Sequence, residues 1–585
     1  MASVALGVAL LAMAFAPASA AQKPRVDFLL TILHNNDGES ALLGEEDFGG
    51  VARFKSLVDR LKFEATHGPP PAAGRGAKRG VVMLSSGDNF LAGPQFNASL
   101  EKGAPFFDTI ALDLVGYDAL AIGNHEFDFG PDVLADFIGG FASDVPFLSS
   151  NLDVSAEPAL QALADQGRIA ASTVVKERGE RIGIIGATTP ALPFISSPRN
   201  VEVDPDVAGA IQAEVNALET TGVNKVILVS HLQSLAEDLA LAPELSGVDL
   251  MIAGGGDELL ANEDNLLVPG DSPAGPYPTF ATDADGNDVP VVTTSGQYFY
   301  VGRLVAGFDK QGELVRVNSG PVRVSGVAPD AVPPDPVVEQ LVTEPVAQAV
   351  AELGSNVIGT SQVPLDGLRA NVRTRETNEG NLIADALLDR ATALAPAFGV
   401  PTPDVALQNG GGIRNDSIIP AGDITELDTF DMLPFANFLS VVPNVPRTQV
   451  KEILENAVSR VEFVDGRFAQ VAGFSMTWDS TGTAQVLDAA GNVVTPGTRI
   501  RTVTLDDGTP VVSTGSVVPG PDLTVATIDF SARGGDQYPF RGAPFTTLGI
   551  TYQQALRSYI ETSLAGLITA AQYPSGGEGR ITRLP

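Results

Sequence analysis

The sequence contains no cysteine in 585 residues. Disulfide bonds, which many small exported proteins use to stabilise their cores, are therefore excluded. We also expect no lipid anchor attached to cysteine. A chain of this length exceeds the size of a single hydrophobic core, so two or more domains are expected. Their stability must come from the size of the cores and from any bound metal.

Positive charge is scarce as well. The 36 lysines and arginines face 71 aspartates and glutamates, which makes the formal net charge −35 at pH 7. This balance argues against nucleic acid as a partner and against an anionic membrane surface. An anionic substrate would need local positive charge from metal ions or arginines. The apolar fraction of 44% and the charged fraction of 18% are typical of a globular protein.

Long apolar runs are missing outside the first residues. Leu6 to Phe15 is apolar but too short to span a bilayer, and Ala18-Ser19-Ala20 fits a small-residue cleavage site. The start lacks the usual basic residue, and a polar break follows at residues 21–24. We interpret residues 1–20 as a signal peptide and predict a periplasmic or secreted protein without a membrane span.

Histidine is rare, and its placement is informative. The chain has four histidines, and His34, His125 and His231 each lie at the end of a predicted strand. His125 belongs to a turn that also contains Asn124 and Asp128, so metal-ligating and acid/base groups are concentrated there. In α/β folds the carboxyl ends of strands are where ligands bind. This turn is the best indication of function in the sequence.

Apolar runs of strand length alternate with helical patterns over the first half of the chain. Each run ends in polar residues, which predicts an α/β layered domain with its polar groups at the strand ends. After about residue 336 the pattern changes to one helical segment and then to a region rich in Val, Thr and Gly. The predicted strands of the first half are 26–33, 80–84, 119–122, 146–148, 182–185, 225–229 and 248–252.

Seven motifs, in this order, resemble those of the periplasmic or secreted 5′-nucleotidase family. The resemblance covers nearly the whole chain after residue 20. It implies a four-layer α/β/β/α metallophosphoesterase sandwich of the calcineurin-like type at 25–335, a linker helix at 336–353 and an α+β substrate-specificity domain at 354–585. The motifs are Leu33-His34-Asn35-Asn36-Asp37, Ser86-Gly87-Asp88-Asn89, Gly123-Asn124-His125-Glu126, Ser230-His231, Asn409-Gly410-Gly411-Gly412-Ile413-Arg414, Leu433-Pro434-Phe435-Ala436-Asn437 and residues 530–536.

The resemblance also implies roles for the residues of the first domain. Asp37 would bind a first divalent metal ion, Asp88 would bridge two ions, and Asn124 and His231 would bind the second. Two cations about 3.5–4 Å apart can activate a water molecule and neutralise the oxygens of a phosphate ester. His125 resembles the catalytic histidine of the family, with Asp128 orienting it.

The chain departs from the family pattern at three positions, where Glu39, Gly255 and Asp257 stand in place of histidines. If the alignment holds, the first metal would be held by an all-oxygen set: Asp37, Glu39, Asp88 and Asp257. Oxygen ligands favour Ca²⁺, Mn²⁺ or Mg²⁺ over Zn²⁺. The second metal would lose a ligand at Gly255, so it would be weakly bound, recruited by the substrate or absent, unless Glu126 or Glu258 compensates.

The second domain would supply recognition of the substrate. Arg414 follows a Gly-rich turn, and its planar guanidinium suits a phosphate or a ribose hydroxyl. Phe435 and Phe530 resemble the aromatic pair that holds a nucleobase between its rings. The remaining residues that the resemblance assigns to substrate binding are Arg369, Arg373, Asn409, Asn437 and Asp536.

We therefore predict an exported, metal-dependent phosphoesterase, monomeric rather than oligomeric, that hydrolyses nucleoside 5′-phosphates to nucleoside and phosphate. One alternative is the same machinery acting on other esters, such as a cyclic nucleotide, a nucleotide sugar or a general phosphomonoester. Another is a nucleotide-binding protein that has lost catalysis.

Overall fold

The structure is a computed structural model that describes residues 25–69, 74–256, 258–488 and 491–585. The predicted signal peptide and the predicted metal ligand Asp257 lie outside these residues. No helix in the described part of the chain is long and apolar enough to cross a membrane.

The part of the chain predicted as the first domain, residues 25–335, is built on two main sheets. Its strands are β1 (Phe28–Asn35), β2 (Lys78–Ser85), β3 (Ala119–Ala121), β4 (Phe147–Leu148), β5 (Leu152–Asp153), β6 (Ile169–Ala170), β7 (Ser172–Glu177), β8 (Glu180–Thr188), β9 (Glu202–Val203), β10 (Val226–His231), β11 (Leu250–Gly254), β12 (Thr279–Thr282), β13 (Asp288–Val292), β14 (Tyr300–Phe308), β15 (Leu314–Ser319) and β16 (Val322–Arg323). Its helices are α1 (Val51–His67), α2 (Pro94–Lys102), α3 (Phe107–Val115), α4 (Pro131–Gly139), α5 (Pro158–Asp165), α6 (Leu192–Ile195), α7 (Val207–Thr220) and α8 (Leu235–Leu241).

The two sheets are mainly parallel at their centres. The first has the order β15-β14-β1-β2-β3-β4-β6, with β1, β2, β3, β4 and β6 parallel and β14 antiparallel to β1. The second has the order β12-β13-β11-β10-β8-β7, with antiparallel strands β12 and β7 at its edges. The carboxyl ends of the central parallel strands therefore lie together at one edge of each sheet.

The apolar runs form these strands because each sheet is buried on both faces. Side chains alternate between the two faces of a strand. Leu30 and Ile32 of β1 point to a core shared with Ile227 and Val229 of β10, which joins the two sheets. Residues on the opposite faces pack against helices: α1 and α3 cover the first sheet, and α7 covers the second. The predicted four-layer α/β/β/α sandwich is confirmed.

The segment predicted as a linker helix is helical. It consists of α9 (Pro336–Val338), a π-helical turn (Glu339–Thr343) and α10 (Glu344–Ser355). Pro345 cannot donate a hydrogen bond to the carbonyl four residues earlier, and the π-helical turn lies at that position. The valines at 338, 342 and 346 share one face of the segment and pack into the first domain.

The part of the chain predicted as the second domain, residues 354–585, mixes sheets and helices. Its helices are α11 (Arg369–Val372), α12 (Asn378–Phe398), α13 (Glu426–Met432), α14 (Arg447–Ala457), α15 (Asp529–Arg533) and α16 (Tyr552–Ser558). Its strands are β17 (Val357–Ser361), β18 (Leu365–Asp366), β19 (Val405–Asn409), β20 (Ile418–Ile419), β21 (Gly422–Thr425), β22 (Phe438–Val445), β23 (Ala469–Ala472), β24 (Phe474–Trp478), β25 (Val486–Leu487), β26 (Val493–Thr495), β27 (Ile500–Leu505), β28 (Pro510–Ser513), β29 (Ser516–Val517), β30 (Leu523–Ile528), β31 (Thr546–Thr551), β32 (Leu567–Ile568) and β33 (Ile581–Arg583).

The central sheet of this domain places the residues that face the first domain. Its order is β23-β19-β30-β22-β31, and α12 packs against it. The Gly-rich turn that precedes Arg414 follows β19, and the short helix α15, which carries Phe530, follows β30. Since β19 and β30 are parallel neighbours, both features emerge at the same edge.

Candidate metal centre and substrate cavity

Three buried side chains form a group that could hold a metal ion. One potential ligand atom from each of Asp37, Asp88 and His231 lies within 4.8 Å of the other two. Asp37 and Asp88 follow β1 and β2 of the first sheet, while His231 ends β10 of the second. The two-sheet architecture therefore assembles the group from three strand ends.

Asp88 lies at the centre of this group. Its Oδ2 is 2.9 Å from Nε2 of His231, and its Oδ1 accepts a hydrogen bond of 2.8 Å from the backbone N–H of His125. Asn124 adds a carbonyl oxygen, because its Oδ1 lies 3.1 Å from the same Nε2 of His231. The structure thus brings Asp37, Asp88, Asn124 and His231 together, as the resemblance implies.

The charges of the group fit a divalent cation. Burial raises the pKa of Asp37 to about 8, and the neighbouring charges of Asp88 and Glu39 add to the increase. Burial alone would lower the pKa of His231, but Asp88 raises it to about 10. Carboxylates packed this closely out of water repel each other, and a bound cation removes that repulsion. Two carboxylates and an imidazole are donors that divalent metals accept.

The backbone at the acidic residues is strained in the way that binding sites often are. Asp37, Glu39 and Asp88 have φ angles of 49°, 51° and 50°, in the left-handed region that non-glycine residues seldom adopt. Neighbouring glycines make room for them. A Cβ atom on Gly123 would lie 2.2 Å from Oδ1 of Asp88, so no larger residue fits there.

The three positions where the chain departs from the family pattern differ in their placement. Glu39 lies at the rim of the site, where its carboxylate accepts a hydrogen bond of 3.0 Å from Nε2 of Gln297, and it is not in the three-residue group. Gly255 points its backbone N–H at Asp37, 3.0 Å from Oδ1 and 3.1 Å from Oδ2. The role predicted for Asp257 stays a prediction, since that residue is outside the described part of the chain.

Glu126 is not a replacement ligand, and that suggestion from the sequence is wrong. Its Oε2 accepts hydrogen bonds from the backbone N–H groups of Asp88 and Gly123, at 3.1 and 2.7 Å. Its Oε1 accepts from the backbone and side chain of Asn89, at 2.7 and 3.0 Å. Both oxygens are saturated, so Glu126 holds the metal-binding turns together. Glu258 lies against the backbone of Gly256, also outside the three-residue group.

His125 and Asp128 form the predicted pair. They lie in and just after a 3₁₀-helical turn, His125–Phe127, and Nδ1 of His125 is 2.7 Å from Oδ2 of Asp128. Burial would lower the pKa of His125, but the charges of Asp128 and Asp88 raise it well above its usual range. With Nδ1 engaged by Asp128, Nε2 is left facing the metal-binding group, 3.8 Å from Oδ2 of Asp88.

His34, the third histidine at a predicted strand end, is not part of the metal-binding group. It lies near the end of β1, yet its Nε2 contacts the hydroxyl of Tyr277 at 2.7 Å, away from the metal-binding group. Burial without a charged partner lowers the pKa of His34 to about 3. Of the three histidines at predicted strand ends, His125 and His231 therefore belong to the site and His34 belongs to the core.

A cavity of about 640 Å³ connects this site to the second domain. Glu39, Asn124, His125 and Asp128 line one side. The other side contains seven of the eight predicted substrate-binding residues, which are Arg373, Asn409, Arg414, Phe435, Asn437, Phe530 and Asp536. The eighth, Arg369, is exposed outside the lining, and its backbone N–H donates to Asp416 at 2.7 Å.

The arginines make this end of the cavity suitable for an anion. Arg373 is only 5% exposed, and its Nε has no hydrogen-bond partner within the described residues. Burial lowers the pKa of Arg373, and the positive charges of Arg369 and Arg414 lower it further. The carboxylates of Asp536 and Asp465 oppose this effect, and an anion bound beside the arginines would oppose it further.

The aromatic and polar residues are held in place by contacts that the sequence did not reveal. The hydroxyl of Tyr552 accepts a hydrogen bond of 3.0 Å from the backbone of Phe435 and donates one of 3.2 Å to the carbonyl of Gly412. The guanidinium of Arg414 lies 5.0 Å from the centre of the Phe435 ring. Tyr552 therefore ties the Gly-rich turn to the aromatic residue, although nothing in its local sequence indicates this.

Other residues of the site were also missed. Nε2 of Gln233 donates to Oδ1 of Asn124 at 2.5 Å, and Oγ of Ser196 donates to Oδ1 of Asp128 at 2.8 Å. Gln233 stands two residues after His231, which was the one available signal. Nδ2 of Asn409 donates to Oδ2 of Asp536 at 2.6 Å, joining two predicted residues.

A four-layer sandwich with a carboxylate–histidine group at its strand ends, facing an arginine-lined cavity, defines a two-domain metallophosphoesterase. Comparisons with known proteins agree. Residues 357–542 match the family model described as the 5′-nucleotidase C-terminal domain. The mouse 5′-nucleotidase is 30% identical over 464 residues, which are 77% of this chain and 75% of that protein.

Two further comparisons extend over more of the chain. The solved structure of the 5′-nucleotidase precursor from Thermus thermophilus is 33% identical, covers 95% of this chain and 99% of its own, and has a TM-score of 0.66. The trifunctional nucleotide phosphoesterase protein YfkN of Bacillus subtilis is 29% identical over 87% of this chain, which spans only 32% of that protein. The chain belongs to the 5′-nucleotidase family, whose members are hydrolases of phosphoric esters.

Proposed function

We propose that this protein hydrolyses nucleoside 5′-monophosphates to nucleoside and phosphate. The observation that carries the proposal is a cavity lined on one side by Asn124 and His125, which adjoin the metal-binding group, and on the other by arginines and aromatic residues of the second domain. A nucleotide carries a phosphate at one end and a base at the other, and these two ends match the two sides of the cavity. The phosphate suits the charged group and the base suits the aromatic residues.

Each group of residues has a distinct task in this proposal. Asp37, Asp88, Asn124 and His231 would hold divalent cations, which neutralise phosphoryl oxygens and lower the pKa of water. Arg373 and Arg414 bind the phosphate or ribose, and Phe435 and Phe530 hold the base. His125, oriented by Asp128, stabilises negative charge at the phosphoryl group or gives a proton from Nε2 to the departing 5′ oxygen. Asn409, Asn437 and Asp536 add polar contacts to the nucleoside.

We further propose that Ca²⁺, Mn²⁺ or Mg²⁺ serves better than Zn²⁺. Carboxylates outnumber imidazoles around Asp37, and Gly255 stands where the family pattern has a histidine. Hard cations prefer such oxygen donors. The apolar run and the small residues before Ala21 support export from the cytoplasm.

The first experiment measures the metal content of the purified protein together with turnover of AMP and p-nitrophenyl phosphate. Activity is lost on chelation and is restored best by Ca²⁺, Mn²⁺ or Mg²⁺ if the proposal is right. Restoration by Zn²⁺ alone would contradict the metal assignment. Tight binding of AMP without turnover under any metal would make this a nucleotide-binding protein that has lost catalysis.

A second candidate function has one observation in its favour. Another cavity, of about 590 Å³, shares Glu39, Leu91, Gln297, Arg414 and Pro434 with the first. This space beyond the phosphate end would accept a group attached to the far side of the phosphate, as in a nucleotide sugar. A higher kcat/KM for a nucleotide sugar than for AMP would favour this candidate.

A further inference from the structure

Two adjacent serines lie between the two halves of the site. Helix α6 (Leu192–Ile195) contacts α15 (Asp529–Arg533) of the second domain, and Ile195 lines the substrate cavity. Ser196 and Ser197 follow this helix directly. The segment is therefore in contact with both domains at the point where they meet around the substrate.

Ser196 is bound to the first domain. Its Oγ donates a hydrogen bond of 2.8 Å to Oδ1 of Asp128, and the serine is 4% exposed. The other carboxylate oxygen of Asp128 contacts Nδ1 of His125 at 2.7 Å. Ser196 thus holds the oxygen of Asp128 that His125 does not use, which fixes the plane of the carboxylate.

Ser197 is bound to the second domain. Its Oγ lies 3.4 Å from Oδ2 of Asp529, a carboxylate that is 2% exposed. Oδ1 of Asp529 accepts hydrogen bonds from the backbone N–H groups of Phe438 and Phe530, at 2.8 and 3.0 Å. Asp529 therefore positions Phe530 and the residue that follows Asn437, and both Phe530 and Asn437 line the cavity.

The backbone explains why neighbouring serines reach different domains. Ser196 has φ −144° and ψ −166°, which is extended. In extended backbone, successive side chains point to opposite sides. Displacing Asp529 would therefore pull on Ser197 and, through one peptide unit, on Ser196 and Asp128.

We infer that Ser196, Ser197 and Asp529 are positioning residues that align the His125–Asp128 pair only when Phe530 is in place. The inference rests on the proposed function, because it concerns turnover of a substrate held by Phe530. The Ser197–Asp529 contact is one long hydrogen bond, so we expect its effect on kcat to be several-fold and not orders of magnitude. Through this contact, the orientation of His125 depends on the placement of the residues that bind the nucleoside.

The test compares steady-state kinetics of AMP hydrolysis for Ser197→Ala, Ser196→Ala and Ser197→Thr. Each alanine variant should lower kcat by about 3- to 10-fold, the loss expected for one hydrogen bond that matters in the transition state. KM should change less than about twofold, since the groups that bind the nucleotide are intact. Ser197→Thr keeps the hydroxyl and should retain the wild-type kcat. Ser155→Ala, at an exposed serine of the same domain, is the matched control.

A double variant separates positioning from a general structural role. In an Asp529→Ala background, Ser197→Ala should cause no further loss of kcat, because the carboxylate that accepts the Ser197 hydrogen bond is then absent. Thermal unfolding midpoints of Ser197→Ala and Ser197→Thr should equal that of the wild type, because the hydrogen bond of Ser197 is long.

Three results would overturn the inference: an unchanged kcat for Ser197→Ala, a raised KM with unchanged kcat, or the same fold-loss in both backgrounds. Failure of the proposed function looks different, because the wild-type protein itself would then not turn over AMP.

Discussion

The backbone N–H of Gly255 donates to both carboxylate oxygens of Asp37, at 3.0 and 3.1 Å. At the position where the resemblance implies a histidine, this chain has a backbone amide that stabilises the charge of Asp37. The backbone conformation at this position also suits glycine. Gly255 has a φ of +87°, which glycine adopts at little cost and other residues avoid.

Gly255→His should therefore impair the protein instead of restoring a metal ligand. A Cβ atom at this position would lie 2.7 Å from the backbone nitrogen of Gln233 and 3.0 Å from Nε2 of His231. We expect a loss of about 1–3 kcal/mol in the free energy of unfolding, together with fewer bound metal ions. Metal analysis and thermal unfolding measure both effects. Gly222→His, at a positive φ with open space around it, controls for backbone strain alone. A gain in bound Zn²⁺ for Gly255→His would contradict this account.

Removal of metal should lower stability through the buried carboxylates. Asp37 and Asp88 are 6% and 2% exposed and share one group, so a cation bound there stabilises the folded state. A free metal concentration 100 times the dissociation constant adds about 2.7 kcal/mol to the free energy of unfolding. Chelation should lower the thermal midpoint of the wild type and leave that of Asp88→Asn nearly unchanged. Equal decreases in both proteins would place the stabilising ion elsewhere.

Phe435 and Phe530 should contribute to the binding of nucleotides but not to the binding of phosphate esters that lack a base. Stacking on a base is worth about 1–3 kcal/mol. Phe435→Ala and Phe530→Ala should therefore each raise the KM for AMP by about 10-fold, while the KM for p-nitrophenyl phosphate stays the same. Phe463→Ala is a matched control. The guanidinium of Arg460 lies 5.0 Å from the ring centre of Phe463, and that of Arg414 lies at the same distance from the ring centre of Phe435. Phe463, however, is 71% exposed and does not line the cavity. Equal effects on both substrates would remove the support for a nucleotide.

Features carried by local patterns could be predicted from the sequence. The continuous apolar run of β1 predicts a strand buried on both faces, and the polar turn after β3 predicts His125 and Asp128 as neighbours. Strand β14 was missed, although it pairs with β1 along its length. Gly302 and Arg303 interrupt its apolar pattern, and Gly302 is required because the ring of His34 occupies the space of a Cβ.

Roles that depend on distant partners could not be predicted. Glu126 has the residue type of a metal ligand and stands in a metal-binding turn, so the sequence cannot distinguish it from one. Four hydrogen-bond donors, from the turn after β2 and from Gly123, make it structural. The roles of Tyr552 and Ser196 could not be predicted for the opposite reason. Neither residue type suggests a functional role, and each acquires one only through a contact made in the folded chain.

The pH dependence of stability can be tested at Asp249. This residue precedes β11, whereas Gly255 follows it, so Asp249 lies at the end of the strand that is remote from the metal-binding group. Burial raises its pKa to about 7, although its carboxylate accepts a hydrogen bond of 2.7 Å from the backbone of Val226. The negative charges of Glu313 and Glu219 add to this effect, and the positive charge of Lys225 opposes it.

The sign follows from comparing the folded and unfolded states. The folded pKa of Asp249 lies above its unfolded value of 3.8, so the folded state holds the proton more tightly. Its contribution to stability is complete below pH 3.8 and is lost as the pH rises to about 7. Asp249→Asn keeps the acceptor for Val226 but cannot ionise. We therefore expect this variant to exceed the wild type in free energy of unfolding by about 2–4 kcal/mol at pH 8, with the difference shrinking towards pH 5.

Denaturant unfolding at pH 5, 6, 7 and 8 measures this difference. Asp285→Asn, on an exposed turn, makes the same change in net charge and should show no such trend. If the two variants behaved alike, the effect would come from the overall negative charge of the protein. A trend confined to Asp249→Asn would show that ionising one buried carboxylate destabilises the second sheet at its amino-terminal edge, opposite the edge where the metal-binding group is assembled.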